Sequence, residues 1–385
     1  MRKVSRGRVL VTGGAGYIGS HVALALRMAG HEVVVLDNLT TGNARAVPKG
    51  VPLQIGDVGD RPLVARVIEH YAVKVVIHLA GSVIVPESLR EPIVYYRNNT
   101  EASRALIAAC AAGGVEHFVF SSTAAVYGQP AQLPVPEDAP TCPLNPYGRS
   151  KLMTEWMLRD ADAAHGLRHV ILRYFNVAGA DAQGRAGFSS AHSGHLIKVA
   201  CETALGQRDR LPIYGTDYPT RDGTCIRDFI HVADLAAAHV AALRYLDEGG
   251  ESVALNCGYG RGFSVREVIV AVEEVIGRRL PVAAAPRRAG DAAEVIADVR
   301  RIQSALEWRP AFDDLAAIVA HTLARLQRQA GKPTRWASRL SPGACERDTD
   351  AQRRTERQVP SGRSVGDESL PAPAAAAGLN LLPGV

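Results

Sequence analysis

Tyr147-Gly148-Arg149-Ser150-Lys151 sets a phenol and an ammonium four residues apart. Asn145 and Pro146, just before them, read as an N-cap and a first helical residue, so both side chains fall on one face of a helix and can serve one site. An unperturbed tyrosine titrates at about pH 10, too high for a base at neutral pH, and a nearby ammonium is expected to favour the phenolate. The pair can then move a proton. Ser121-Ser122-Thr123, upstream, offers a hydroxyl to the same oxygen.

A second constellation lies at the start of the chain. Val9 to Val11 read as a buried strand and Ser20 to Ala29 as the helix after it, with Thr12-Gly13-Gly14-Ala15-Gly16-Tyr17-Ile18-Gly19 between them. Gly13 suits the tight turn, Gly16 lets backbone N–H groups approach a pyrophosphate at the positive helix end, and Gly19 lets helix pack on strand. Gly30 stops the helix, Glu32 to Leu36 supply a second strand, and Asp37 ends it. An acid there accepts a ribose 2′-hydroxyl and repels a 2′-phosphate, which favours NAD over NADP.

These residues need a scaffold, and the rest of the chain predicts one. Leu53 to Ile55, Val75 to His78, Phe118 to Phe120 and Val170 to Leu172 are short apolar runs separated by helical stretches. Such alternation predicts an α/β protein with a Rossmann-type, doubly wound parallel sheet. Asp57-Val58, Leu79-Ala80-Gly81 and Ser121-Ser122-Thr123 follow strand ends, where open α/β sheets bind ligands. We divide the chain into a dinucleotide-binding part, 1–175, to which later segments are free to return, and a smaller C-terminal substrate-binding part, 176–334. The latter has loops at Gly179 to Gly194 and Gly215 to Asp228 and helices near Val265 to Ile276 and Leu315 to Gln327. The stretch 335–385 turns to Arg, Ser, Pro, Asp and Ala without periodicity and is expected to be disordered.

Composition narrows the function. With 385 residues, 47% of them hydrophobic and 22% charged, the chain can bury a sizeable core. Its net charge of +5 is spread out, with no polybasic block beside aromatics, which argues against nucleic acid. No apolar stretch approaches a membrane-spanning length, and the six cysteines are scattered without a CxxC, which together predict a cytoplasmic protein with reduced thiols. The twelve histidines include no HExxH, and the nearest pair, His192 and His195, lies in a Ser/Gly-rich loop, so no metal is expected.

From about Arg8 to Arg328 the chain resembles the extended short-chain dehydrogenase/reductases, and within them the nucleotide-sugar 4-epimerases. The residues that carry the resemblance are TGGAGYIGSH, LDNLTTGN, HLAG with PES, YYRNN, FSSTAAVYG, NPYGRSKLMTE, LRYFNVAGA, YGTDYPTRDGTCIRDFIHVADLA and APRRAGD. The loop YGTDYPTRDGTCIRDFIHV discriminates best, since many relatives share the Tyr/Lys pair. The resemblance implies interconversion of UDP-galactose and UDP-glucose through a 4-keto sugar, with hydride held transiently on NAD. Tyr147 would take the proton from the 4-hydroxyl, Thr123 would bond the 4-oxygen, and Lys151 would hold the ribose. Gly13, Gly16, Tyr17, Ile18, Gly19, Asp37, Asn38, Asp57, Val58, Leu79, Ala80, Gly81, Asn98, Tyr147, Lys151 and Phe175 match cofactor-contacting positions. Thr123, Asn176, His195, Tyr214, Arg227, Arg288, Asp291 and Val295 match positions that meet the UDP-sugar, and a homodimer is implied. Guanidinium forks suit a diphosphate.

Three departures from the family pattern stand out. Thr123 replaces a common Ser and keeps the hydroxyl, Val83 stands where some members have a Lys near the cofactor phosphates, and His195 stands where many have an Asn. A 4,6-dehydratase would need an acid and a base beside Thr123, where this chain has Ala124 and Ala125. A 4-epimerase of UDP-N-acetylhexosamine, UDP-xylose or UDP-glucuronate remains open, as does a catalytically dead NAD-sensing regulator. Such a regulator would commonly lack the Tyr or the Lys.

Overall fold

The structure, a computed structural model, describes residues 7–186 and 194–331. The predicted disordered tail and His192 lie outside the described residues. Strands β1 (Arg8–Thr12), β2 (Val33–Asp37), β3 (Leu53–Ile55), β4 (Val73–His78), β5 (His117–Thr123) and β6 (Arg168–Tyr174) are separated by α1 (Tyr17–Met28), α2 (Arg61–Tyr71), α3 (Val85–Arg90), α4 (Pro92–Tyr95), α5 (Ala102–Ala112) and α6 (Pro146–His165). Beyond them follow β7 (Asn176–Ala178), α7 (Leu196–Ala204), β8 (Leu211–Tyr214), β9 (Ile226–His231), α8 (Val232–Asp247), β10 (Val253–Cys257), β11 (Gly262–Ser264), α9 (Val265–Ile276), β12 (Val282–Ala285), β13 (Glu294–Val295), α10 (Arg300–Ala305) and α11 (Leu315–Gln329).

The main sheet has seven strands in the order β10-β6-β5-β4-β1-β2-β3, and every pairing is parallel. Both faces must then be covered, which explains the near-continuous apolar runs. Val22, Leu26, Leu235 and Leu243 of α1 and α8 pack on one face. Val64, Val67, Leu106 and Leu158 of α2, α5 and α6 pack on the other. The chain order reverses between β1 and β4, so the crevice beyond their carboxyl ends is the switch point where ligands bind. The smaller part is built around β9, which pairs with β7 and β13 in parallel and with β11 antiparallel, while β8 and β12 form a separate parallel pair. Among the described residues no helix is long and apolar enough to cross a membrane.

Local expectations and structure differ in instructive ways. Helix α1 starts at Tyr17, ahead of the expected Ser20, because the glycine turn closes directly into the helix. Strand β5 continues through Ser121, Ser122 and Thr123, which the sequence reading placed after the strand: their backbones pair with Leu172, Arg173 and Tyr174. The Asn145 side chain accepts from the Gly148 N–H at 2.9 Å, the expected cap of α6.

Beneath the ends of β5 and β6 lies a buried polar network. Arg173 grips Glu155 of α6 with two bonds, Nη2 to Oε2 at 2.7 Å and Nε to Oε1 at 3.0 Å. The same guanidinium donates to Tyr127 Oη at 2.8 Å and to the Glu137 carbonyl at 2.9 Å, while the Ser122 hydroxyl donates to Glu155 Oε1 at 2.5 Å. Removing one partner of such a pair leaves an uncompensated buried charge. Glu155→Leu should therefore cost about 3–5 kcal/mol, seen as a large fall in the denaturant midpoint. A midpoint equal to wild type would show that Arg173 finds water or another acid.

Candidate functional site

The glycine turn touches its neighbour across the crevice. Gly13 has φ +68°, and a Cβ there would lie 2.7 Å from the Ala80 nitrogen at the end of β4. A Cβ on Gly19 would lie 2.1 Å from the Gly13 carbonyl oxygen, so close helix-on-turn packing requires glycine. Gly16 is the N-cap of α1 and brings no side chain to its N–H groups, which leaves them turned to the crevice for an anion. Tyr17 goes elsewhere: its hydroxyl donates to the Gly179 carbonyl at 2.7 Å, and burial pushes the phenol well up. Ile18 packs against the sheet core.

Asp37 is buried at the end of β2 and is held by backbone, accepting from Ala15 N–H at 2.9 Å and Leu39 N–H at 2.8 Å. Asn38 donates to Asp57 at 3.0 Å, and Val58 is buried beside them. Leu79 N–H donates to the Thr12 carbonyl, and Gly81, at φ +153°, has no room for a Cβ beside Asn99. Asn98 donates to the Ser82 hydroxyl at 3.0 Å. The sequence reading missed its neighbour Asn99, which is 1% exposed and pins the turn: it accepts from Ser82 N–H at 2.7 Å and donates to the Ser82 carbonyl and the Ser150 hydroxyl. An Asn-Asn pair inside a helical stretch was the available signal. The bare helix end, the turn without side chains and the backbone-held acid fit a dinucleotide with a free ribose 2′-hydroxyl.

The proton-moving pair sits beside this cradle. Tyr147 and Lys151 lie one turn apart on α6, and Thr123 ends β5. Lys151 is buried, donates to the Ser121 carbonyl at 3.0 Å and lies 5.0 Å over the Phe120 ring. Burial brings its ammonium down to about 8, so it remains mostly charged at neutral pH. Burial pushes the Tyr147 phenol up, and hydrogen bonding with Thr123 opposes it. The ammonium of Lys151, one helical turn away and expected to favour the phenolate, is held on the Ser121 carbonyl. The Tyr95 ring meets Tyr147 edge-on at 6.5 Å and limits its swing.

The structure links several of the expected sugar-nucleotide residues to one another. Arg288 stacks on Tyr214, guanidinium 3.7 Å from the ring centroid. Arg227 is aimed by backbone, donating to the carbonyls of Ile226 at 2.9 Å and Ala292 at 2.6 Å, and it stands opposite Val295 in the β9–β13 pairing. Asp291 follows Arg288 in the same turn. Val295 is buried in one apolar cluster with Val126, Tyr127, Leu152 and Phe175. Asn176 starts β7, and His195 caps α7 without a side-chain bond, exposed to solvent. A residue not foreseen, Gln129, accepts from the Ala293 N–H at 3.0 Å and ties the Thr123 loop to the Asp291–Val295 segment.

Residues 9–258 match the NAD dependent epimerase/dehydratase family. The chain belongs to that family. It is 56% identical over 338 residues, 86% of this chain and 97% of the other, to a UDP-glucose 4-epimerase of Azospirillum brasilense. Among solved structures, UDP-glucose 4-epimerase from Brucella ovis in complex with NAD matches with TM-score 0.79 and 44% identity, covering 82% of this chain and 97% of that one. The UDP-Glc/GlcNAc 4-epimerase from Campylobacter jejuni matches with TM-score 0.73 and 46% identity, covering 84% and 99%. The family's chemistry gives the Tyr147 phenol its test: Tyr147→Phe keeps the ring and removes the proton acceptor. Its kcat should fall about 10²–10⁴-fold, with UDP-sugar binding little changed; a near-normal kcat would assign the base elsewhere.

Proposed function

We propose that the chain interconverts UDP-galactose and UDP-glucose by inverting the sugar at C4, with NAD retained throughout. The observation that carries this reading is Tyr147 hydrogen-bonded with Thr123 one turn from the buried Lys151, in a chain that aims Arg227 with the Ala292 carbonyl and stacks Arg288 on Tyr214. The high identity to UDP-glucose 4-epimerases over nearly their full length supports it. When bound, NAD supplies a reversible hydride acceptor. Gly13, Gly16 and Gly19 with the α1 N-terminus would cradle its pyrophosphate, and Asp37 its adenine-side ribose. Tyr147 takes the proton from the sugar 4-hydroxyl and gives it back after the 4-keto sugar has presented its other face. Thr123 holds the 4-oxygen in register with the phenol, and the buried Lys151 keeps a positive charge under the site. Arg227 and Arg288 hold the diphosphate, which lets the sugar turn while the nucleotide stays fixed.

Val295 favours a second substrate class. Its side chain is small and sits in the apolar cluster with Phe175 and Tyr127, and the Campylobacter jejuni relative is a UDP-Glc/GlcNAc 4-epimerase. Purified protein given UDP-galactose should yield UDP-glucose with no NADH accumulating. UDP-N-acetylgalactosamine should also be epimerised, and Val295→Tyr should suppress that activity while sparing UDP-galactose. Stoichiometric NADH would sink the retained-cofactor mechanism, and equal loss on both sugars would sink the gate.

The assembly proposed is a cytoplasmic homodimer. Trp156 on α6 is 51% exposed and Ile93 on α4 is 75% exposed, an apolar display of the kind that a second copy covers. Light scattering should give twice the chain mass for wild type and the single-chain mass for Trp156→Glu. A monomeric wild type would overturn this reading.

A further inference from the structure

His78 ends β4 at the crevice, buried, with the Phe120 ring stacked on it at 5.8 Å and the Phe118 ring edge-on at 5.9 Å. Phenylalanine would pack there with no polar atom to satisfy. The imidazole is instead engaged at both nitrogens: Nδ1 lies 2.7 Å from the hydroxyl of Thr12, which opens the glycine turn, and Nε2 lies 2.9 Å from the Ser103 hydroxyl on α5. Thr12 and Ser103 are buried as well, so a link lost here is not replaced by solvent.

Counting protons fixes the direction of these bonds. The Ser103 hydroxyl donates to the Asn99 carbonyl, which can only accept, so the Ser103 oxygen receives Nε2–H. A neutral imidazole then has a bare Nδ1, which accepts from Thr12, and the Thr12 oxygen in turn takes the Ala80 N–H at 3.4 Å. Burial brings the imidazole down to about 3, with the Lys151 ammonium pushing the same way, so it stays neutral. Asn99 sits in a wide π-helical turn, Tyr96–Glu101, a device that recurs at functional sites. From Asn99 the chain continues: its side-chain amide donates to the Ser150 hydroxyl at 2.9 Å, and that hydroxyl donates to the Tyr147 carbonyl at 2.8 Å. Hydrogen bonds thus run without a break from the first residue of the cofactor turn to the residue that moves the proton.

We propose that His78 is a positioning residue for the cofactor and the base together: through Thr12 it sets the glycine turn against the turn that follows β4, and through Ser103 and Asn99 it ties that cradle to the helix carrying Tyr147. This rests on NAD occupying the cradle. Ser103→Ala removes a hydroxyl that matches no cofactor- or substrate-contacting position. With the full-length chain freed of nucleotide, the Kd for NAD, titrated calorimetrically, should rise about 3–10-fold, the effect of one lost buried hydrogen bond. His78→Phe keeps a ring and breaks both links, so the Kd should rise about 10–100-fold. In a His78→Phe background, Ser103→Ala should add nothing further. With NAD saturating, kcat should still fall about 3–10-fold in each, since Tyr147 has lost its tie to the cradle. Affinity for UMP should stay within about twofold of wild type, because the bonds of Arg227 and the stacking of Arg288 involve none of these residues.

An unchanged NAD Kd would overturn the proposal, and Ser103→Ala, the loss of one oxygen, decides it even where His78→Phe does not fold. Multiplying losses in the double variant would overturn it too, since Ser103 would then act without His78. UMP affinity falling in step with NAD affinity, together with a lower melting temperature, would assign a packing role instead. A wild-type protein that binds NAD but does not turn over UDP-galactose would defeat the epimerase reading alone, because the NAD titrations test His78 independently of turnover.

Discussion

The bidentate Arg173–Glu155 pair fixes the distance between the two elements that do the chemistry. Glu155 stands one turn beyond Lys151 on α6, and Arg173 stands on β6, paired with Ser122 of β5. Ser122 closes the triangle by donating to Glu155. A slide of α6 by one residue would break three charge-assisted bonds among buried groups. The contacts on which catalysis depends, Tyr147 to Thr123 and Lys151 to the Ser121 carbonyl, inherit that rigidity. Neither contact is strong enough to set the helix by itself. A buried pair of this kind adds little net stability over a well-packed apolar pair, but here it specifies one register among several.

The same network reaches across to the substrate side. Tyr127 donates to Asn256 at 2.7 Å, Glu137 accepts from Asn256 N–H at 2.9 Å, and Asn256 donates to the Val135 carbonyl at 2.8 Å. Val135 in turn bonds the backbone of Ile296 and Asp298 on either side of its bridge to Ala297. The Val295 strand is therefore held relative to Thr123 through a continuous set of hydrogen bonds. Asp228 strengthens the join: fully buried, it accepts from the N–H groups of Tyr259 and Gly260 at 2.8 Å, and burial raises its carboxyl to about 6.

Features set by near neighbours were legible in the sequence. The glycine turn, the Asn145 cap, the acid ending β2 and the α9 helix each depend on a few adjacent residues, and each stands where their types placed it. What escaped depends on residues far apart in the chain. Ser121-Ser122-Thr123 looks like loop by composition, and only pairing with β6 makes it strand. Asn99, Gln129 and the Arg173–Glu155 pair gain meaning through partners from seventeen to more than a hundred and sixty residues away. The Tyr147–Lys151 spacing correctly put both on one face, but spacing says nothing of the Ser121 carbonyl that captures the ammonium.

Strand β10 adds a consequence for biosynthesis. It is the outermost strand beside β6, yet it comes from the far side of β7, α7, β8, β9 and α8. A nascent chain that has emerged only as far as β6 carries a sheet whose last strand shows an open row of amide and carbonyl groups, the kind of edge that recruits strands from other chains. That edge stays open until the substrate-binding segments have been made and the chain has looped back. The two halves are thus one folding unit, and a fragment cut at their apparent boundary keeps the glycine turn while inheriting a sticky seam.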